Sequence, residues 1–248
     1  MGPKKTLKVF KLDCNITYLY PKFQQLISFF MQKLVFLPFK HLNIKNIIFD
    51  LGGVILNIDY HLTINAFKQL GFDDFDKLFT KAQQTGVFDK LDKGLVTPAE
   101  FRDGIRQLAN KPFTDEQIDN AWNAMLLDFP TPRLKLLEQI HNQYRTFLLS
   151  NTNQIHIEVY NQILHNTFGV KNLSHFFEKE YYSHEIHMRK PDAEIFEFII
   201  HQNELRAEET LFIDDSEQHI MGAKSVGIHA YHLNLNEGDV IEKLFKMV

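Results

Sequence analysis

From Asn46 onward two hydrophobic patterns alternate along the chain. The short apolar run at 47–49, and the runs at 146–149 and 210–213 that each open on a threonine, read as buried strands, the pattern of a parallel sheet. Residues 178–182 and 229–232 add two more strands. Between them lie segments with apolar positions three and four apart, which predict helices over 133–142, 155–164, 193–201 and 217–226, the last closed by Gly227, with a short helix from Val240. This alternation predicts a doubly wound α/β fold with a mostly parallel sheet and helices on both faces.

One stretch departs from the alternation. Over residues 59–130 the pattern is helical throughout. A helix over 61–70 stops at Gly71, and a second over 74–84 stops near Gly86. Thr97-Pro98-Ala99-Glu100 supplies an N-cap, a first-turn proline and a carboxylate three residues on, opening a helix through Leu108. Thr114-Asp-Glu-Gln117 is a second capping box, ahead of a helix with Ile118, Trp122 and Met125 on one face. Phe88 and Trp122 read as core of this unit. The expected organisation is a small all-helical insert at 59–130, punctuated by Pro130-Thr131-Pro132, within an α/β core made of 45–58 and 131–248.

Residues 1–44 differ in composition: lysines at 4, 5, 8, 11, 22, 33 and 40 face one acid, Asp13. Gln32 and Lys33 interrupt the apolar run and no small-residue cleavage site follows, which argues against a signal peptide. The expectation is a poorly ordered extension, with Met31 a reasonable alternative start.

Composition narrows the partners. The formal net charge of −4 over 248 residues gives no bulk attraction to nucleic acid. The single cysteine, Cys14, excludes an internal disulfide and a cysteine-rich metal site, and fits a reducing, cytoplasmic setting. No apolar run reaches the roughly 18 residues of a membrane span. Oligomeric state is left open. The histidines, His156, His184 and His187 among them, form no metal-ligand spacing.

Chemistry gathers where strands end. Asp50 closes the first strand, followed at once by Gly52 and Gly53, so backbone can approach a ligand closely there. Ser150 and Asn151 stand where a strand passes toward a helix, a setting whose hydroxyl and backbone N–H groups suit an anion. Asp214-Asp215 follow an apolar strand and offer hard oxygen ligands for a divalent cation. Lys190 precedes Pro191 at a helix start, within reach of a phosphate oxygen. Singly, each also fits a helix cap or a solvated side chain.

Taken together, the order Asp, Ser, Lys, Asp-Asp, in the wording FDLGGV, LSNTN, RKP and IDDS, resembles the haloacid dehalogenase superfamily over about residues 45–235. The insert at 59–130 resembles the mobile cap of its helical-cap subfamily (subfamily I). The motif wording is similar to small-molecule phosphatases there, a bacterial glucose-1-phosphate phosphatase included. The resemblance implies a phosphatase acting on a small phosphorylated metabolite, plausibly a sugar phosphate. Asp50 would be the nucleophile, forming an aspartyl-phosphate, and Ser150, the Asn151 backbone and Lys190 would bind phosphate. Mg2+ would be held by Asp50, the Gly52 carbonyl, Asp214 and Asp215. It also implies a departure, since phosphatases of the family usually carry a second Asp where this chain has Gly52. General acid–base help is typically worth about 10²–10⁴-fold. A cap or hinge group, with Asp59 and His61 as candidates, would replace it, or the leaving group would need little protonation. Two further readings stay open: a non-catalytic phosphate- and metal-binding protein, and a 2-haloacid dehalogenase.

Overall fold

The computed structural model describes residues 34–79 and 86–247. Its strands are β1 (Leu34–Phe36), β2 (Asn46–Phe49), β3 (Arg145–Ser150), β4 (Lys179–Tyr182), β5 (Thr210–Asp214), β6 (His229–His232) and β7 (Phe245–Met247). β2 to β6 form one five-stranded parallel sheet in the order β4-β3-β2-β5-β6. β2 is therefore central, and its carboxyl end lies between those of β3 and β5, where open α/β sheets hold their ligands.

The continuous apolar runs make the sheet two-faced. Ile47, Phe49, Leu148 and Ile213 join a core with α6 (Thr131–His141) and α7 (Gln154–Phe168), through residues such as Leu137 and Leu164. Ile48, Phe147, Leu149 and Phe212 point the other way, onto α9 (Ala193–Gln202) and α10 (Glu217–Ser225), through Ile195, Ile199 and Ile220. Each fully buried side chain of this size stabilises the fold by about 1.5–3 kcal/mol relative to exposure. Two short helices, α8 (Ser183–Ile186) and α11 (Ile241–Leu244), complete this part. Among the described residues no helix is long and apolar enough to cross a membrane.

The helical stretch contains α1 (Tyr60–Gln69), α2 (Phe75–Leu78), α3 (Val87–Asp92), α4 (Pro98–Ala109) and α5 (Asp115–Asn123). It has a core of its own, rich in rings: Phe67 stacks on Phe75 at 4.1 Å between centroids, and Phe79, Phe88 and Phe101 surround Trp122. Both expected capping boxes form, Thr97 with Glu100 and Thr114 with Gln117. Two chain crossings run side by side between this layer and the sheet. The Asn57 N–H donates to the Asp128 carbonyl at 2.9 Å and the Leu127 N–H to the Asn57 carbonyl at 3.0 Å.

Three local expectations change. The helix expected over 74–84 ends at Leu78, and Phe79 turns to extended backbone to seat its ring against Trp122; the rest of that span lies outside the described residues. α3 was not anticipated, because six residues after a glycine carry too little periodicity to register. The extension expected through residue 44 lies outside the described residues up to 33, but from Leu34 the chain is built into the fold. β1 pairs antiparallel with β7, and buried Leu34 and Phe36 pack with Phe245. A ladder between the two ends of a chain leaves no local signal in either.

Candidate active site

The parallel register puts Asp50 and Asp214 one residue beyond the Phe49–Ile213 pair, at the same level of neighbouring strands. The Asp50 N–H donates to the Ile213 carbonyl at 2.9 Å, which fixes the turn out of β2. Ser150 ends β3 on the other side of β2. Lys190 arrives from the loop before α9, and its side chain is fully buried. Its ammonium donates to Asp50 Oδ1 at 2.6 Å, to Asp214 Oδ2 at 2.7 Å and to the Leu149 carbonyl at 2.9 Å. All three of its hydrogens are thereby engaged. A direct phosphate contact, as expected from the sequence, needs one of these bonds released; the geometry instead has Lys190 joining the two acids.

Asn151 holds that loop in place. Its side-chain amide donates to the Lys190 carbonyl at 2.9 Å and its Oδ1 accepts from the Lys190 N–H at 2.9 Å. The reciprocal pair ties the loop after β3 to the loop that carries Lys190. Asp215 completes the acid group: Asp50, Asp214 and Asp215 each offer an oxygen within 4.8 Å of the others. The second glycine explains how Asp215 comes so near. Gly53 has φ +80°, and a Cβ there would lie 2.6 Å from Asp215 Oδ2.

The electrostatics follow from three carboxylates facing one ammonium. Burial, together with the charges of Asp214 and Asp215, pushes Asp50 up to about 7 against the pull of Lys190. Burial also opposes ionisation of Asp214, but Lys190 and His219 outweigh it and hold that carboxyl well below the usual range. Asp214 accepts from the Ser216 N–H at 2.7 Å, and His219 Nδ1 lies 3.0 Å from both its oxygens. Burial lowers the Lys190 ammonium, yet its two acid partners raise it further, so it stays charged. The remaining deficit of positive charge, presented by hard carboxylate oxygens, fits a divalent cation such as Mg2+.

A cavity of about 80 Å³ opens over this cluster, lined by Asp50, Gly52, Ser150, Asn151 and Asp215, all anticipated from the sequence. It is also lined by groups the sequence did not single out: Tyr60 and Asp92 from the helical layer, Arg189, and His219 on α10. Arg189 Nη1 donates to Asp89 Oδ1 on α3 at 2.7 Å, so adjacent residues 189 and 190 serve the two sides of the cavity. Only the neighbouring Lys190 could have pointed to Arg189; nothing local marks Tyr60 or Asp92. Asp59 and His61 do not line this cavity. Asp59 caps α1 by accepting from the His61 N–H at 2.9 Å, and both border a broader groove of about 420 Å³ nearby.

A family model described as haloacid dehalogenase-like hydrolase matches residues 44–227. The chain belongs to the haloacid dehalogenase-like hydrolase family. A D-ribitol-5-phosphate phosphatase of Bacteroides thetaiotaomicron is 34% identical over 188 residues, covering 76% of this chain and 91% of that enzyme. A haloacid dehalogenase-family enzyme from the same organism, solved with magnesium and inorganic phosphate, is 43% identical with a TM-score of 0.68, over 76% of this chain and 93% of its own. A predicted hydrolase of this type from Porphyromonas gingivalis is 31% identical with a TM-score of 0.70, over 77% and 91%. Within the family the chain is a phosphatase, a phosphoric monoester hydrolase, and its Asp50, Asp214 and Asp215 offer the carboxylate oxygens that suit a divalent cation, such as the magnesium that the solved relative holds.

Proposed function

We propose that this haloacid dehalogenase-family phosphatase hydrolyses a small phosphorylated sugar or sugar alcohol through an aspartyl-phosphate on Asp50. The observation that carries the reading is Lys190, fully buried and bonded to both Asp50 and Asp214 beside Asp215. In this mechanism Asp50 attacks phosphorus, its carboxylate oxygen forms the new P–O bond, and the alcohol departs. Water then attacks the same phosphorus and frees Asp50. The Ser150 hydroxyl and the Asn151 N–H bind the phosphoryl oxygens as charge moves onto them. Lys190 keeps Asp50 ionised and aimed. Asp50, the Gly52 carbonyl, Asp214 and Asp215 would hold Mg2+, which when bound screens the repulsion between an anionic nucleophile and an anionic ester.

The sugar-alcohol class is supported by the ribitol-5-phosphate relative and by the motif wording shared with sugar phosphatases. The cavity favours a small transferred group: about 80 Å³ is far below the roughly 300–1,000 Å³ of pockets that enclose a whole metabolite. The rest of the substrate therefore lies under the helical layer, and we assign residues 59–130 as a cap that opens to admit it and closes to exclude water. A screen of sugar and sugar-alcohol phosphates, with Mg2+ and with chelator, tests the reading. Turnover is expected only with the metal and is expected to vanish in Asp50→Asn; an Asp50→Asn protein that retains wild-type turnover would refute it.

A further inference from the structure

A sugar-alcohol ester poses a chemical problem that the sheet alone does not solve. Its leaving group is an alkoxide, which departs slowly unless it gains a proton as the P–O bond breaks. Gly52, two residues after Asp50, has no side chain to give. The space above it is also filled: a Cβ on Gly52 would lie 2.8 Å from Ile58 Cδ1. The donor must come from elsewhere around the cavity.

Besides Asp50, four lining groups can carry a proton: Tyr60, Asp92, Asp215 and His219. Asp215 belongs to the acid cluster over the metal position. His219 is committed to Asp214, its Nδ1 lying 3.0 Å from both carboxylate oxygens. Burial and the nearby carboxylates push the Tyr60 phenol far above its ordinary range, so it is a weak acid.

Asp92 differs from these. It ends α3, on the helical layer rather than the sheet, and is 5% exposed. Its Oδ1 accepts from Asn153 Nδ2 at 3.1 Å, and Asn153 is itself fully buried as the N-cap of α7. The loop that presents Ser150 and Asn151 to the phosphoryl group thus also seats this carboxyl. The charged groups facing it are Arg189, across the cavity wall, and Asp89, one turn earlier on α3. Burial outweighs Arg189 and the Asn153 bond and raises Asp92 to about 6, a value suited to giving and taking a proton near neutrality.

Resting on the phosphatase reading above, we propose that Asp92 is the proton donor to the leaving oxygen and then the base for the hydrolytic water. In the first step the Asp50–phosphorus bond forms, the ester P–O bond breaks, and the Asp92 proton passes to the departing oxygen to give a neutral alcohol. In the second, water loses a proton to Asp92 while its oxygen bonds to phosphorus and the Asp50–phosphorus bond breaks. Inorganic phosphate leaves, and Asp92 regains the proton it gave. The acid is therefore present only when the helical layer lies over the sheet.

The test compares two leaving groups in Asp92→Asn, which keeps an acceptor for Asn153. With ribitol 5-phosphate the variant is expected to lose about 10²–10⁴-fold in kcat. With 4-nitrophenyl phosphate, whose phenolate departs without a proton, the pre-steady-state burst of nitrophenolate is expected to stay within about threefold of wild type. An equal loss with both esters would make Asp92 a structural brace and overturn the proposal, as would no loss with either. A measurement on the wild type alone guards against a variant that does not fold. Across a series of aryl and alkyl phosphates kcat/KM should depend only weakly on leaving-group basicity, and a steep dependence overturns the proposal. Asp50→Asn serves as reference: if it retains turnover the phosphatase reading itself has failed, whereas a dead Asp50→Asn with an unselective Asp92→Asn removes only the role given to Asp92.

Discussion

Replacing Lys190 by methionine removes the ammonium and keeps most of the volume. In the wild type that ammonium lies 2.6 Å from Asp50 Oδ1 and 2.7 Å from Asp214 Oδ2, with no exposure to water. Removing one partner of a buried ion pair typically costs about 3–5 kcal/mol, because the other charge stays desolvated and unpaired. Here two carboxylates are left, with Asp215 adding a third within 4.8 Å. With urea slopes of about 1–3 kcal/mol/M, the unfolding midpoint should fall by about 1–5 M in the presence of chelator. Measurement at pH 8 keeps Asp50 ionised in the wild type, above the value of about 7 set by burial and its acid neighbours. Added Mg2+ should then close much of the gap, since a site without the lysine has a stronger need for the cation. At one hundred times its dissociation constant a ligand adds about 2.7 kcal/mol to the state it binds. The assay is urea unfolding of both proteins, each with chelator and with Mg2+. A variant as stable as wild type in chelator, or a gap that Mg2+ leaves unchanged, would show that the lysine does not neutralise the acid cluster.

Two other perturbations probe the layers around the site. Gly94 has φ +63°, and a Cβ there would overlap the His184 carbonyl, so Gly94→Ala should lose about 1–2 kcal/mol from the backbone conformation and about 1–3 kcal/mol from the overlap; an unchanged denaturation midpoint would contradict the close approach of helical layer and sheet at that point. His156 stacks on Trp122, places Nδ1 2.8 Å from Asn123 Oδ1, and is pushed down to about 3 by burial. Between pH 6.5 and 3 the unfolded chain therefore binds a proton that the folded chain refuses. Stability should fall as pH drops through that window, by at most about 1.4 kcal/mol per pH unit from this residue. Unfolding midpoints against pH should show a shallower acid limb in His156→Gln, and identical limbs would exclude His156 as a source of the slope.

Much of this molecule was legible because its signals are local. Residues 47–49, 147–149 and 211–213 are unbroken apolar runs, and each lies within a strand of the parallel sheet. Thr97 and Thr114 carry their helix starts within four residues, and both capping boxes formed. Asp50, Ser150, Asn151, Lys190, Asp214 and Asp215 were readable because each stands at or near a strand end, and the register of a parallel sheet brings strand ends together. What escaped depends on distance along the chain. Lys190 alone reads as a surface lysine, and only the two acids 140 and 24 residues away make its burial tolerable. Tyr60 and Asp92 reach the cavity because helices from another segment fold over the sheet, and no spacing encodes that. β1 and β7 each have three residues and find a partner only in the other.

The dipeptide Arg189-Lys190 limits how far this enzyme can be treated as modular. A chimera that exchanges the helices over the sheet for those of another protein keeps Lys190 in its socket. It also keeps Arg189 and Asn153, whose partners Asp89 and Asp92 would leave with the old helices. A donor lacking acceptors at those two positions strands polar groups beside Lys190 and Asn151, at about 1–3 kcal/mol each. Swapping the helices thus requires transplanting an acidic pair along with the new surface.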